Sequence, residues 1–475
     1  MLHSLRQRRA AFWLSTTLGL AALVIFAWSS ASLRIDRRLP SGHLDFGNEG
    51  LSWPARVTKD RLTPETLPQS WSGCDDLPGG SGMVLGILTT VNGALNRLPI
   101  LLATSLRCVK EPIIISDLAS RLGRYVVQDA FASLPADLLR ESDFNFYWRL
   151  QTLVDSGRVK ELPTAVVVQD NPATSNLFAL KVLQAVRLAW QLQPGRDWYV
   201  LVSDNSYVNL PNLLHLLGKY NARGAWLQSN LALKPDPHAH PGVTFVFSGE
   251  VVRQWIINGT LAGGNWGARS HSVLASRSGP LETIQRELNT NMLQLGQLGG
   301  EEQHLLAFDE SNWCRPVITV AAPDATAVDS LYHVEQSRNG SQMLYRDIYH
   351  ALHPHHLPFR LENWDNGAAD DMYALEVVPN DPERAVGQWE PKDLIDPSRS
   401  YMGCELACIQ NAACMQFLHV TRSGGPSTCL LSSAIRSGTQ RFAEEKDGTT
   451  LTFTSGFKSD RIAKWAQLHD NCTPA

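Results

Sequence analysis

The chain has 475 residues, 44% of them hydrophobic, which is enough for more than one folded unit with a sizeable core. Its 42 basic and 46 acidic residues give a formal net charge of −4. No basic footprint of the kind nucleic acid needs is present, so no nucleic-acid partner is expected.

From Ala10 to Leu33 no residue is charged. As a helix these residues would reach ~36 Å, enough for a bilayer core of about 30 Å. Arg6, Arg8 and Arg9 precede the run, and Arg34, Arg37 and Arg38 follow it with Asp36 among them. The run reads as a single-pass signal anchor after a short cytoplasmic tail, residues 1–9. A cleaved signal peptide ending near Ser29-Ser30-Ala31 is the alternative. Both readings put the bulk of the chain on the lumenal side of a secretory-pathway membrane such as the Golgi. Three sequons agree, at Asn258, Asn339 and Asn471, as do eight cysteines, four of them between Cys404 and Cys429.

Residues 34–80 are polar and contain Pro40, Pro54, Pro64, Pro68 and Pro78 without a sustained period, as in a stem. Folded structure is expected to begin with a strand at Met83–Thr90, a helix at Leu98–Leu106 and a strand at Pro112–Ser116 ending at Asp117. A strand at Ala165–Val168 and a helix at Leu177–Leu192 come next. The strand Trp198–Val202 then delivers Ser203, Asp204, Asn205 and Ser206, and a helix at Leu210–Tyr220 follows. Such alternation predicts βαβ units and a mainly parallel sheet with ligands at the carboxyl ends of its strands. The unit continues through Thr244–Ser248, Gly300–Phe308 and Trp313–Val320 to about residue 380, and a Pro-rich linker covers 381–396. His353, His355 and His356 read as an exposed loop rather than a metal site, because Pro354 interrupts them and no acid is near. No internal repeat or low-complexity tract is present.

In residues 397–475, Cys404 and Cys408 share one face if that segment is helical, and Cys414 and Cys429 are within reach. Four cysteines allow three pairings, and a zinc site is disfavoured because no CxxC pair is present. The spacing Cys404-x3-Cys408-x5-Cys414-x2-Phe417 followed by Cys429-Leu430-Leu431 resembles a PAN/apple-like module. That resemblance implies a small disulfide-linked α+β module pairing Cys404 with Cys429 and Cys408 with Cys414. Such modules bind proteins or carbohydrates; a purely structural appendage is the alternative.

The region from Gly82 to Asp371 resembles glycosyltransferase family 31, the Fringe and core 1 galactosyltransferase group, especially its fungal members. The residues that carry this are Ile115-Ser-Asp117, Pro194-Gly-Arg-Asp-Trp-Tyr199, Ser206-Tyr207, Asn212-Leu-Leu214 and Phe245-Val-Phe-Ser248. Further landmarks are Trp313-Cys-Arg-Pro-Val-Ile-Thr319, Arg346-Asp-Ile-Tyr349 and Glu362-Asn-Trp-Asp-Asn366. The resemblance implies a GT-A α/β fold that moves galactose or N-acetylglucosamine from a UDP-sugar donor, with inversion, to a hydroxyl of a glycan or glycoprotein acceptor.

A departing diphosphate gains charge that a hard cation such as Mn2+ can offset, and that cation prefers carboxylates. The family's acidic triplet corresponds here to Ser203-Asp204-Asn205, and Ala321 and Ala322 stand where fungal relatives carry a histidine pair. Mn2+ is thereby left without an assigned ligand set. The proton of the acceptor hydroxyl would go to Glu301 or Glu302, matching a family segment that begins a late helix; plain first-turn acids are the alternative. His240 matches an element that approaches the sugar. Thr89, Thr90 and Asp117 could face the nucleotide, and Asp117 could equally cap the following helix. Two readings follow: a transferase with a degenerate metal site, or a catalytically silent glycan-binding or chaperone-like member of the same fold.

Overall fold

The computed structural model describes residues 82–158, 161, 172–230, 242–257, 270, 279–289, 298–302, 304–322, 324–338, 341–353, 357–374, 396–446 and 448–472. The proposed anchor at 10–33, the stem, the strand at 165–168, His240, Asn258, Asn339 and most of the linker lie outside these. Among the described residues no helix is long and apolar enough to cross a membrane.

The main sheet is built from β1 (Met83–Leu88), β2 (Ile113–Ser116), β3 (Ser120–Leu122), β4 (Tyr125–Asp129) and β5 (Trp198–Ser203). A short β6 (Ser206–Val208) leaves it, and β7 (Leu227–Ser229) and β8 (Thr244–Ser248) complete it. Seven strands run in the order β3-β4-β2-β1-β5-β8-β7. β4, β2, β1 and β5 are mutually parallel, whereas β3, β8 and β7 each run antiparallel to the neighbour toward the centre. A mixed α/β architecture with a mainly parallel centre is compatible with a GT-A-like fold.

The central strands are apolar throughout because helices cover both faces. Along β5, Tyr199 and Leu201 enter one core with the helices Asn145–Asp155, Pro172–Leu192, Gly249–Ile257 and Pro280–Leu288. Trp198, Val200 and Val202 enter the other, with Val91–Asn96, Leu98–Ala103, Leu210–Gly218, Ala325–Ser337 and Tyr345–Leu352. β1 and β5 approach so closely at Gly86 that a Cβ there would lie 2.4 Å from Leu201 Cδ2.

A second, three-stranded sheet joins β6 to β10 (Thr319–Ala321) and β9 (Gly299–Glu302). A third holds β11 (Arg360–Glu362), β13 (Asp371–Ala374), β14 (Gln416–Arg422), β15 (Thr428–Ser432) and β18 (Thr449–Phe457), with β17 (Glu444–Lys446) on β18. β12 (Trp364–Asp365) pairs with β16 (Thr439–Gln440). Strands upstream of residue 380 thus supply edges to the C-terminal sheet. They carry no sequence signature, since short edge strands bury little and need no apolar run.

In the C-terminal unit the helix Tyr401–Gln410 lies on β14 and β15, with disulfides Cys404–Cys429 and Cys408–Cys414. Arg461 donates to the carbonyls of Asn411 (2.8 Å) and Cys414, fixing the turn between helix and strand. This unit is packed into the first. Met415, Ile435, Phe457, Ile462 and Ala466 belong to the same core as Trp313 and Tyr349. Phe308 and Ile435 exchange both backbone hydrogen bonds, at 2.8 and 3.0 Å. Cys314 is disulfide-bonded to Cys472, and Trp313 meets Trp465 edge-on at 4.9 Å. His353 belongs to this seam: its Nε2 lies 3.0 Å from Ser437 Oγ, and burial holds the imidazole down at about 4. His355 and His356 lie outside the described residues.

Candidate donor site

The chain leaves β1 toward β2 and β4 on one side and returns to β5 on the other, so strand order reverses beside β1. Crevices at such points are where open α/β sheets hold ligands. The carboxyl ends meeting there carry Thr89 and Thr90, Asp117, and Ser203-Asp204-Asn205.

Thr90 Oγ1 accepts from Gly93 N at 3.0 Å and so caps the helix Val91–Asn96. Asp117 Oδ1 accepts from Val91 N at 3.1 Å and Ser116 Oγ at 2.8 Å. Asp117 therefore caps the helix after β1, not one following itself, and ties the ends of β1 and β2 together.

Asp204 is fully buried and points inward. Its Oδ2 accepts from Thr89 Oγ1 at 2.5 Å and Arg97 Nη2 at 3.0 Å, and Arg97 Nη2 lies 2.9 Å from Oδ1. Lys181 Nζ donates to the carbonyl of Thr89 at 3.1 Å. Burial raises the Asp204 pKa, while Arg97, Thr89 and Lys181 act to lower it. Gly93 makes the approach possible, because a Cβ there would sit 2.0 Å from Asp204 Oδ2. The surviving acid of the triplet is thus committed to an internal ion pair.

Ser203 Oγ accepts from Val243 N at 2.8 Å and lies 2.9 Å from Ser206 Oγ, stitching β5 to the entry of β8. The Asn205 carbonyl accepts from Ala322 N at 2.7 Å, and its side-chain Oδ1 is buried without a hydrogen-bond partner among the described residues. Ser206 is paired with Ala321, and Ala321 in turn with Glu302. The three-stranded sheet therefore brings Asn205, Ala321, Ala322 and the Glu301-Glu302 segment together.

Glu301 and Glu302 lie on a strand, β9, and not at the start of a helix. The first-turn reading of these acids fails with it: β9 pairs parallel with β10, and His304 and Leu305 lie in a turn. Glu301 is exposed, and its charge adds to burial in raising the Tyr345 hydroxyl to about 12.

These residues do not fit a divalent cation. The one acid of the triplet is held by Arg97, the neighbouring donor is a neutral amide oxygen, and Ala321 and Ala322 are buried methyl groups. Among the described residues no group of three or more His, Cys, Asp or Glu side chains could hold a metal ion.

Three contributors carry little sequence signal. Lys181 hides in an apolar helical run, Arg97 looks like a surface cation between two helices, and Gly93 resembles any helical glycine. A small pocket beside them is lined by Asp117, Lys181, Phe131, Phe146, Tyr147 and Phe178. At its rim Tyr147 Oη donates to Asp129 Oδ2 at 2.9 Å, and burial pushes the Asp129 carboxyl up to about 6.

No match to the chain was found among the curated proteins. Residues 158–247, which carry β5, the Ser203-Asp204-Asn205 triplet and most of β8, match the protein-family model described as Fringe-like, and this match supports a Fringe-like glycosyltransferase family.

Proposed function

We propose that the chain is a single-pass type II membrane glycosyltransferase of the secretory pathway that transfers galactose or N-acetylglucosamine from a UDP-sugar to a glycan or glycoprotein hydroxyl, without a carboxylate-bound metal. The observation that carries this reading is the Asp204–Arg97–Thr89 cluster at the reversal point of the sheet. There an internal guanidinium stands beside the acid that would otherwise face a cation. Fringe-like glycosyltransferases use UDP-sugar donors, and Lys181, whose Nζ donates to the neutral carbonyl of Thr89, brings positive charge to the strand ends.

In the reaction the acceptor oxygen attacks the anomeric carbon opposite the UDP, and the bond from that carbon to the phosphate oxygen breaks. The acceptor proton passes to a carboxylate, with Glu301 or Glu302 as the candidate. The PAN/apple-like unit would hold the acceptor against this site, consistent with the shared core around Trp313. Calorimetric titration of the protein with UDP tests the reading: binding that persists in a chelator supports it.

One observation favours a silent member of the fold. Ala322 lies across from Asn205 with no donor group at all, so nothing replaces the missing ligand on that strand. Absence of UDP binding both with and without Mn2+ would select that reading.

A further inference from the structure

We propose that Asn471 is an N-glycosylation site open only while the Cys314–Cys472 disulfide is unformed, so that glycan attachment must come before that bond closes. The proposal rests on the secretory-pathway placement given above. Asn471-Cys472-Thr473 is a sequon whose middle residue is disulfide-bonded to Cys314, 158 positions away in sequence. Asn471 itself is exposed, just past the end of the helix Ser459–His469. The backbone around it is held from several sides. Cys472 N donates to the carbonyl of Asp470 at 3.0 Å, closing a tight turn over Asn471. The same carbonyl accepts from Arg346 Nη1, and the Asp470 carboxylate lies 3.0 Å from His350 Nε2. Trp465, one turn before the helix ends, is packed on Trp313 beside Cys314.

An enzyme that modifies a sequon must grip the asparagine and the hydroxyl two residues on as one segment of chain. With the residue between them covalently tied to the body of the protein, that segment cannot be drawn into a cleft. The Asn471 side chain nevertheless faces solvent, so a glycan already attached fits the closed state. In the attachment step the Asn471 amide nitrogen displaces a lipid-linked diphosphate from the anomeric carbon of an oligosaccharide, forming the N–C bond and releasing one proton. In the closing step the Cys314 and Cys472 thiols form their bond by exchange with an oxidised disulfide carrier, which leaves as a dithiol.

The test is site-specific glycan occupancy at Asn471, read by mass spectrometry on the full chain made in a secretory host. Three samples are compared: wild type, Cys314→Ser, and wild type synthesised with dithiothreitol present. A severalfold rise in occupancy in the second and third samples is expected. Equal but incomplete occupancy in all three overturns the proposal, as does an Asn471 that stays bare in all three while Asn258 or Asn339 carries glycan. Where wild type is fully occupied, a pulse–chase in which glycan appears on chains already holding the Cys314–Cys472 bond overturns it. Occupancy is read on the peptide, so it does not depend on how well Cys314→Ser folds, and the dithiothreitol sample involves no substitution. Bare asparagines at all three sequons together with reduced cysteines would sink the secretory placement, and the proposal with it.

Discussion

The backbone N–H of Ala322 donates to the carbonyl oxygen of Asn205 at 2.7 Å, which places these two residues directly opposite each other at the end of the β6–β10 ladder. Opposed residues on an antiparallel pair share a face. Ala322 therefore stands on the side of Asn205, whereas Ala321 is opposed to Ser206. Asn205→Asp combined with Ala322→His should create Mn2+-dependent UDP binding, visible as a rise in melting temperature on adding Mn2+ with UDP. Asn205→Asp with Ala321→His should not. Equal behaviour of the two double variants would mean that the register does not decide which alanine replaced the ligand.

Asp204 is held by Arg97 inside the protein, so its loss should be a matter of stability. Removing one partner of a buried ion pair costs about 3–5 kcal/mol. Asp204→Ala should lower stability on that scale in urea denaturation, by the same amount with Mn2+ or with chelator. A loss seen only with Mn2+ present would make Asp204 a ligand.

Gly93→Ala should resemble the loss of Asp204, because its Cβ would fall on the carboxylate oxygen. The displaced acid leaves Arg97 without its partner at Oδ2, and a cost of about 2–4 kcal/mol is expected. A near-neutral Gly93→Ala variant would show that Asp204 can retract without loss.

Asp129 gives a pH prediction. Burial raises its pKa from 3.8 to about 6. A carboxyl raised in the folded state contributes stability that is fully present below 3.8 and is lost as pH rises through 6. Asp129→Asn keeps its oxygen for the Phe131 N–H, turns its amide toward the Tyr147 hydroxyl, which can accept, and removes the buried charge. The variant should gain up to ~3 kcal/mol on wild type at pH 7 and almost nothing at pH 3. An unchanged difference across that range would contradict the burial of this group as a charge.

Cys314→Ser together with Cys472→Ser should cost about 2–5 kcal/mol, since the bond closes a long loop. The shared core around Trp313, Tyr349 and Trp465 should still keep unfolding in one transition. Two separate melting steps would show that the disulfide, and not the core, unites the two parts.

The parallel centre of the fold was legible because β1, β2 and β5 are short apolar runs, each ending in polar residues at the reversal point. Asp204 was legible as an acid in the right place, but its partner was not: Arg97 is 107 positions away in sequence, and nothing local distinguishes it. The family resemblance sets Glu301 and Glu302 at the start of a late helix, yet pairing with β10 makes them a strand. The edge strands at Arg360–Glu362 and Asp371–Ala374 were invisible for the opposite reason. Their partners lie in the C-terminal segment, and strands of three and four residues mixing charged with apolar side chains show no period of their own.

Metal-independent donor binding is tested most directly by calorimetric titration of the wild-type protein with UDP, in chelator and then in Mn2+. Binding in chelator is expected, with an affinity that Mn2+ leaves unchanged. Binding that appears only when Mn2+ is added would contradict it.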